Sequence, residues 1–449
     1  MKKICQILCL FGFMQPMVAF AQKSNLDRFD RYMQAQVTVN EFSGIVLVAN
    51  KGNIIYKKPF GYADREWNIP NTQDTKFEIG SLTKQFTAAA ILQLVEEGKL
   101  SLQDHLNKYF PKYPKGDSVT LHMLLSHTSG IVDYTGIPEF YPLHTPPLKP
   151  DSVIALFKNK PYLFTPGSKW SYSNSNYFLL GYIIEKATSQ TYSSYMHEHI
   201  FKKASLTNTF VNQLDSVLAF RARGYSKMDK GGWKNADYMS MELPYSAGSM
   251  VSTVDDLFKW QNELLAGAVI SKQMVNKMMT PNLKNYGYGL FIDTFANQKR
   301  ISHAGGIPGF TSFMESFPAD DVTIVVLSNN EGSSNTIADA MASYLYELPV
   351  EIPYVTMEKA IDTSVLKRYP GKYQLGGSMN FELFEKDHKL YLRLQGGREW
   401  ELKPESETRF FFSWDKEQKI DFVFNSKGAI TQCFFINKGS KIEINKRNE

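Results

Sequence analysis

Ser81-Leu82-Thr83-Lys84 sets a hydroxyl and an amine three residues apart, and on a helix residues at that spacing are neighbours. A serine hydroxyl is a poor nucleophile until a neighbouring base takes its proton. An ammonium cannot do that, whereas a desolvated lysine with a depressed pKa can. Ser-x-x-Lys recurs at Ser364–Lys367 and Ser413–Lys416, so context has to separate the three. Phe86, Ala89, Ala90, Gln93 and Leu94 predict a helix over Ser81–Glu97, closed by Gly98. Ser81 then lies at the positive end of the helix dipole, where anionic character is stabilised. Ser413 and Lys416 follow Phe410-Phe411-Phe412 in a strand pattern that points them to opposite faces. Ser364 precedes a Tyr-Pro-Gly turn. A capping serine and a surface lysine suffice for both of these.

Two further constellations accompany Ser81. Tyr172-Ser173-Asn174 precedes an apolar helix read over Asn176–Ser189. A phenol that shares its proton with a lysine can act as a base, and an asparagine amide can both donate to and accept from a substrate. An N-cap at Ser173, Asn174 or Ser175, with Tyr172 packed as an ordinary aromatic, explains the same residues. His303-Ala304-Gly305-Gly306 has glycines that let a backbone approach a ligand, and an amide there could complete an oxyanion hole. A loop histidine beside a glycine turn is the plainer alternative. Lys230-Gly231-Gly232, a lysine version, lies in a polar stretch and reads as a turn. There is no Gly-x-Ser-x-Gly elbow, P-loop or His-Glu-x-x-His. His197 and His199 are spaced wrongly for one helix face and read as solvated surface.

The elements that must position these groups are legible as a mixed α/β arrangement. Phe42–Tyr62 reads as a hairpin, and Thr311–Phe317 and Val322–Ser328 as two strands joined through Pro318–Asp321. Strands at both ends with helices between them predict a mixed sheet covered by helices. Val350–Tyr354, with Pro353 inside it and Pro349 before it, reads as a linker. Beyond it, Leu390, Leu392 and Leu394, then Phe422 and Phe424, then Ile442 and Ile444 alternate as short strands, with turns at Gly376-Gly377, Gly396-Gly397 and Gly428. This pattern predicts a small antiparallel barrel or sandwich. The expected domains are therefore 22–350 and 357–449.

Residues 1–21 read as a secretory signal: Lys2 and Lys3, a mostly apolar Ile4–Met14, then Ala19-Phe20-Ala21 with cleavage after Ala21. Gln6, Gly12, Gln15 and Pro16 break the apolar run short of the roughly 20 residues a spanning helix needs. A periplasmic or secreted protein is expected, with no integral membrane segment once the signal is removed. Cys5 and Cys9 leave with the signal, so Cys433 alone remains, which excludes an internal disulfide and a cysteine-based zinc site. No metal or cofactor is expected. The chain has 449 residues, 43% hydrophobic and 21% charged, near the averages for soluble globular proteins. The net charge of +5 falls by two, to +3, without Lys2 and Lys3. No block of like charge points to a nucleic-acid partner.

Ser81-x-x-Lys84, Tyr172-x-Asn174 and His303-Ala304-Gly305, in that order, resemble the serine β-lactamase and penicillin-binding-protein superfamily. The chain is most similar to the class C β-lactamase-related serine hydrolases, which include D,D-peptidases, D-aminopeptidases and esterases. Val119–Gly130, Tyr172–Gly181 and Ser246–Thr253 carry further likeness, and the resemblance spans roughly 35–345. It implies a β-lactamase/transpeptidase-like fold, with the tail similar to lipocalin-like domains appended to some relatives. It also implies that Ser81 forms an acyl-enzyme while Lys84 and Tyr172 manage its proton, Tyr172 also activating the deacylating water. By the same resemblance Asn174 binds the substrate's acyl-side amide, and the backbone N–H groups of Ser81 and Gly306 form the oxyanion hole, with Gly305 and His303 lining the substrate. Where β-lactamases of class C carry Lys-Thr-Gly, this chain has His303-Ala304-Gly305, which argues against efficient β-lactam turnover because histidine is mostly neutral at pH 7. The expected substrate is a small molecule or a D-amino-acid-containing peptide. A small-acyl esterase, a true β-lactamase and a non-catalytic peptide binder are the alternatives, and the oligomeric state is left open.

Overall fold

Strands buried on both faces appear as unbroken apolar runs, and the run Val322–Ser328 is the innermost stretch of the main sheet. The computed structural model of the protein describes residues 14–143, 149–212, 217–228, 231–332, 334–376, 379–394, 397–437 and 440–447. Of the expected signal, Lys2, Lys3, Cys5 and Cys9 lie outside the described residues, as do Lys230, Gly377 and Gly396. Met14–Asn40 form one helix, α1, so the expected cleavage position falls within it. Among the described residues no helix is long and apolar enough to cross a membrane.

After α1 the chain makes the hairpin β1 (Gly44–Asn50) and β2 (Asn53–Phe60). The helices that matter for the site follow: α2 (Thr83–Glu96), α3 (Leu121–Leu125), α4 (Asn174–Thr188), the short α5 (Tyr245–Gly248) and α6 (Val254–Ala266). The chain then returns to the sheet as β3 (Phe291–Phe295), β4 (Gln298–Ile307), β5 (Phe310–Phe317) and β6 (Val322–Ser328), and crosses back as α7 (Ser334–Leu345). The sheet order is β3-β4-β5-β6-β1-β2, antiparallel throughout. Val46 pairs with Val326, which pairs in turn with Phe313.

Because strand side chains alternate, each strand serves two cores. Ile45, Leu47, Val325 and Leu327 pack with α2 and α6 residues such as Phe86, Leu257 and Trp260. Val46, Val48, Ile324 and Val326 pack on the other face against Phe29, Tyr32 and Met33 of α1 and Ile337 and Met341 of α7. The Phe86 and Trp260 rings stack with centroids 4.1 Å apart, and the Trp260 indole N–H donates to Gln85 Oε1 at 2.7 Å. These contacts hold α2, and with it the start of the Ser-x-x-Lys turn, firmly on the sheet.

The chain divides into two compact units, one up to Val350 and one over Glu351–Glu449. In the second, β7 (Gly371–Leu375), β8 (Met379–Lys386), β9 (Lys389–Leu394), β10 (Glu399–Pro404), β11 (Arg409–Phe412), β12 (Asp415–Phe424), β13 (Ile430–Asn437) and β14 (Ser440–Lys446) form a closed antiparallel barrel. Closure is made by β7 on β14, with Tyr373 opposite Lys446. Leu383, Leu392, Phe410, Phe422 and Ile444 fill it together with Val365, Leu366 and Tyr369 from the preceding turn. The fold is thus an antiparallel sheet packed with helices in the first unit and a closed eight-stranded barrel in the second. Ser364, Lys367, Ser413 and Lys416 are exposed, and Cys433 is a buried free thiol that burial pushes up to about 12.

Candidate active site

Ser81 does not begin the α-helix itself. Gly80–Leu82 form a single 3-10 turn that leads into α2. Gly80 stands at φ +50, and a Cβ there would meet the Gly306 nitrogen at 2.7 Å, so the left-handed, side-chain-free residue lets the turn seat directly on β4. Gly305 is equally constrained, since a Cβ would come within 2.1 Å of the Ile79 carbonyl oxygen. Gly306 itself faces open space and is exposed. The turn that carries Ser81 is therefore held in backbone contact with Gly306 of β4 through Gly80.

Lys84, on the first turn of α2, is fully buried. Its ammonium donates to Ser81 Oγ at 2.9 Å, Asn174 Oδ1 at 2.8 Å and the Ala247 carbonyl at 2.7 Å. Burial pushes its pKa down to about 7, against a smaller upward pull from Asp133. At neutral pH a substantial fraction can therefore be the free amine that a proton acceptor must be. Its Nζ also lies 4.9 Å from the centre of the Tyr172 ring. Tyr172, partly exposed, precedes the extended Ser173 that leads into α4. Burial of its phenol raises its pKa well above the ordinary value, partly offset by a hydrogen-bonding interaction with Ser81.

Ser173 precedes α4 without a capping side-chain bond. The helix end is served from elsewhere: Asp133 Oδ1 accepts from the Asn174 backbone N–H at 3.1 Å, and Asp133 Oδ2 accepts from the Asn174 amide at 3.2 Å. Thr135 Oγ1 donates to Asp133 Oδ2 at 2.9 Å and accepts from the Asn174 amide at 3.2 Å. With its nitrogen so engaged, Asn174 presents its oxygen to Lys84. The sequence reading missed Asp133 and Thr135, though a buried lysine needs a nearby anion and Asp133 is the first acidic residue after Ser129-Gly130.

His303 lies on β4, opposite Met314, and is 3% exposed. Its Nδ1–H donates to the Ala304 carbonyl at 2.6 Å, and its Nε2 accepts from the Tyr286 hydroxyl at 3.1 Å. Burial, with Lys84 nearby, pushes its pKa down to about 3. The ring next to the site is thus neutral at physiological pH, and what it offers a substrate is shape and polarity. Strand β3 pairs with β4 only as far as Ser302, so His303–Ile307 pair with β5 alone. A cavity of about 320 Å³, lined by Glu78, Arg221, Met239, Met241, Pro308 and Phe310 among others, adjoins the chain just before Ser81 and just after Gly306. Gly231 and Gly232 form a turn at positive φ, and His197 is exposed with Nδ1 3.0 Å from Glu198.

This geometry agrees with what the chain is similar to. The Beta-lactamase family model matches residues 29–346. The chain belongs to the beta-lactamase family. As a family member it is a serine hydrolase of the penicillin-binding-protein and beta-lactamase fold. It is 32% identical over 400 residues to penicillin-binding protein 4* of Bacillus subtilis, covering 83% of this chain and 88% of that protein. Among solved structures, the octameric penicillin-binding protein homologue from Pyrococcus abyssi superposes with a TM-score of 0.68 at 26% identity, over 94% of this chain and all of that one. A D-stereospecific amidohydrolase from Streptomyces sp. gives 0.62 at 26% identity, over 70% of this beta-lactamase-family chain and 98% of its own.

Proposed function

We propose that the protein is an exported hydrolase that opens amide bonds of D-amino-acid-containing substrates through an acyl-enzyme on Ser81. The observation that carries this reading is the 2.9 Å contact between Ser81 Oγ and a buried Lys84 whose pKa is near 7. In its free-amine form Lys84 accepts the hydroxyl proton as Oγ attacks the carbonyl, and the Ser81 and Gly306 backbone N–H groups stabilise the oxyanion. Tyr172, beside Ser81 and Lys84, passes a proton to the leaving group and later takes one from the deacylating water. Asn174, its nitrogen held by Asp133 and Thr135 and its oxygen shared with Lys84, accepts the N–H of the substrate's acyl-side amide on the second lone pair of that oxygen. The D-amino-acid preference is supported by the likeness to the Streptomyces D-stereospecific amidohydrolase, and export by the charged, apolar and small-residue order of residues 1–21.

A second reading, a small-acyl esterase, is favoured by one observation. His303 stands neutral where class C β-lactamases carry a lysine, so a substrate carboxylate finds no cation there. Intact-mass analysis after incubation with a penicillin, a nitrophenyl ester and a D-Ala-D-Ala peptide separates the readings. A Ser81 adduct from all three classes, with fast release only of the peptide acyl group, supports the peptidase. Release only of the ester acyl group supports the esterase, and no adduct at Ser81 rejects both.

A further inference from the structure

His127 belongs to the Val119–Gly130 stretch that resembles the family, yet none of the chemistry above uses it. It is fully buried and holds φ +57, a left-handed conformation uncommon for a residue with a side chain. Its bonds grip both residues that flank Tyr172. The His127 carbonyl accepts from the Ser171 N–H at 3.0 Å, and its ring Nδ1 accepts from the Ser173 N–H at 3.2 Å. The ring lies against that of Tyr172, with centroids 4.4 Å apart, and closes on Tyr286 at 4.8 Å and Tyr177 at 5.2 Å. The Asn176 amide also donates to Nδ1 at 3.2 Å, while Asn176 Oδ1 accepts from Ser129 at 2.6 Å.

A backbone N–H can only donate, so Nδ1 must carry a lone pair and the ring proton must sit on Nε2. Protonating Nδ1 would set two N–H groups against each other. The ring is therefore fixed as a neutral acceptor, and its left-handed backbone aims that acceptor at the segment that carries the phenol.

We infer that His127 is the positioning residue for Tyr172, fixing through Nδ1 and its carbonyl the height and rotation of the phenol over Ser81 and Lys84. The inference rests on the reading that Tyr172 handles protons for Ser81. A displacement of about 1 Å in such a group costs on the order of 100-fold in rate, so the clamp has a kinetic signature that folding alone lacks.

The test measures single-turnover acylation by a D-Ala-D-Ala peptide, whose amine leaving group needs the proton that Tyr172 passes, in full-length wild type, His127→Ala, His127→Asn, Tyr172→Phe and the double variant His127→Ala/Tyr172→Phe. Asparagine places its Oδ1 where Nδ1 stood and tolerates left-handed backbone. Tyr172→Phe is expected to lose roughly 100-fold, and His127→Ala roughly tenfold or more. His127→Asn should stay within about threefold of wild type, and His127→Ala should cost less than about threefold more once Tyr172 is phenylalanine. Equal losses from His127→Ala in both backgrounds would overturn the inference and leave the Tyr172 reading intact. A Tyr172→Phe variant that acylates at the wild-type rate overturns that reading and the inference with it. Should His127→Ala fail to fold, a folded His127→Asn that loses as much as Tyr172→Phe decides against the clamp.

Discussion

Gly80 and Gly306 touch backbone to backbone: a Cβ on Gly80 would lie 2.7 Å from the Gly306 nitrogen and 2.9 Å from its oxygen. The contact sets the spacing between the turn that carries Ser81 and strand β4, whose Gly306 N–H is the proposed second oxyanion donor. Gly80→Ala must therefore strain a left-handed residue and push β4 away. The expected cost is about 1–3 kcal/mol of stability and roughly 100-fold in acylation, read by urea unfolding and by the burst with a nitrophenyl ester. Gly306→Ala meets nothing within 4 Å, so its stability should stay within about 0.5–1 kcal/mol of wild type. If the two variants behave alike, the contact does not set the site.

Ser81→Ala should abolish covalent labelling and turnover while costing at most about 1 kcal/mol in stability, the range for a lost first-turn hydroxyl. Lys84→Ala should keep less than about a tenth of the wild-type rate, because groups that act as a unit do not lose activity additively. Adduct on another residue in wild type, seen by peptide mass mapping, would remove Ser81 from the mechanism.

The pH profile follows from Lys84. In the proposed mechanism its working form is the free amine, so acylation should rise with pH through about 7 and then level off. Asp133 is the group that pulls this pKa up. Replacing it by the neutral amide in Asp133→Asn should move the rising limb to lower pH, while the loss of bonds to Asn174 lowers the plateau. A limb that stays in place under Asp133→Asn would show that another group titrates there.

How much of this could be read from residues alone depends on where the determining partner lies. Val322–Ser328 was bounded correctly as a strand because seven consecutive positions are buried on both faces. The alternation at Leu390, Leu392 and Phe422 marked the tail as short strands, but closure needs Tyr373 opposite Lys446, a pairing no local pattern encodes. Ser81, Lys84 and Asn174 were legible because each sits in a short motif, and the structure brings them together. The 3-10 turn at Gly80 was missed because its shape is set by contact with Gly306 on a distant strand. Asp133 escaped for the same reason, since its partner Asn174 lies far along the chain at the start of α4.

The barrel of the second unit has its own filled core, and the first unit has two of its own. A chain ending at Val350 should therefore fold and label at Ser81 with a nitrophenyl ester at a rate within about threefold of full length, since no catalytic group is assigned to the tail. Circular dichroism and intact mass on that truncation check it. A folded truncation that no longer labels would assign part of the site to the tail.

His303 gives the last prediction, because its charge decides what it can recognise. With its Nδ1–H on the Ala304 carbonyl, Nε2 accepting from Tyr286 and a pKa pushed down to about 3, it stays neutral throughout the working range. The ratio of kcat/KM for a D-Ala-D-Ala peptide to that for its C-terminal amide should then be flat between about pH 5 and 8. A charged imidazole would instead make the ratio fall as pH rises through about 6.5, the ordinary histidine value, and that slope would reinstate a carboxylate-binding cation. Stability carries the same sign test. The unfolded chain binds a proton below about 6.5 that the folded ring refuses until about 3, so this contribution is present at neutral pH and lost as pH falls across that window. His303→Asn should flatten that part of the acid decline in urea titrations, and an unchanged decline would mean that the ring is not held neutral by its burial.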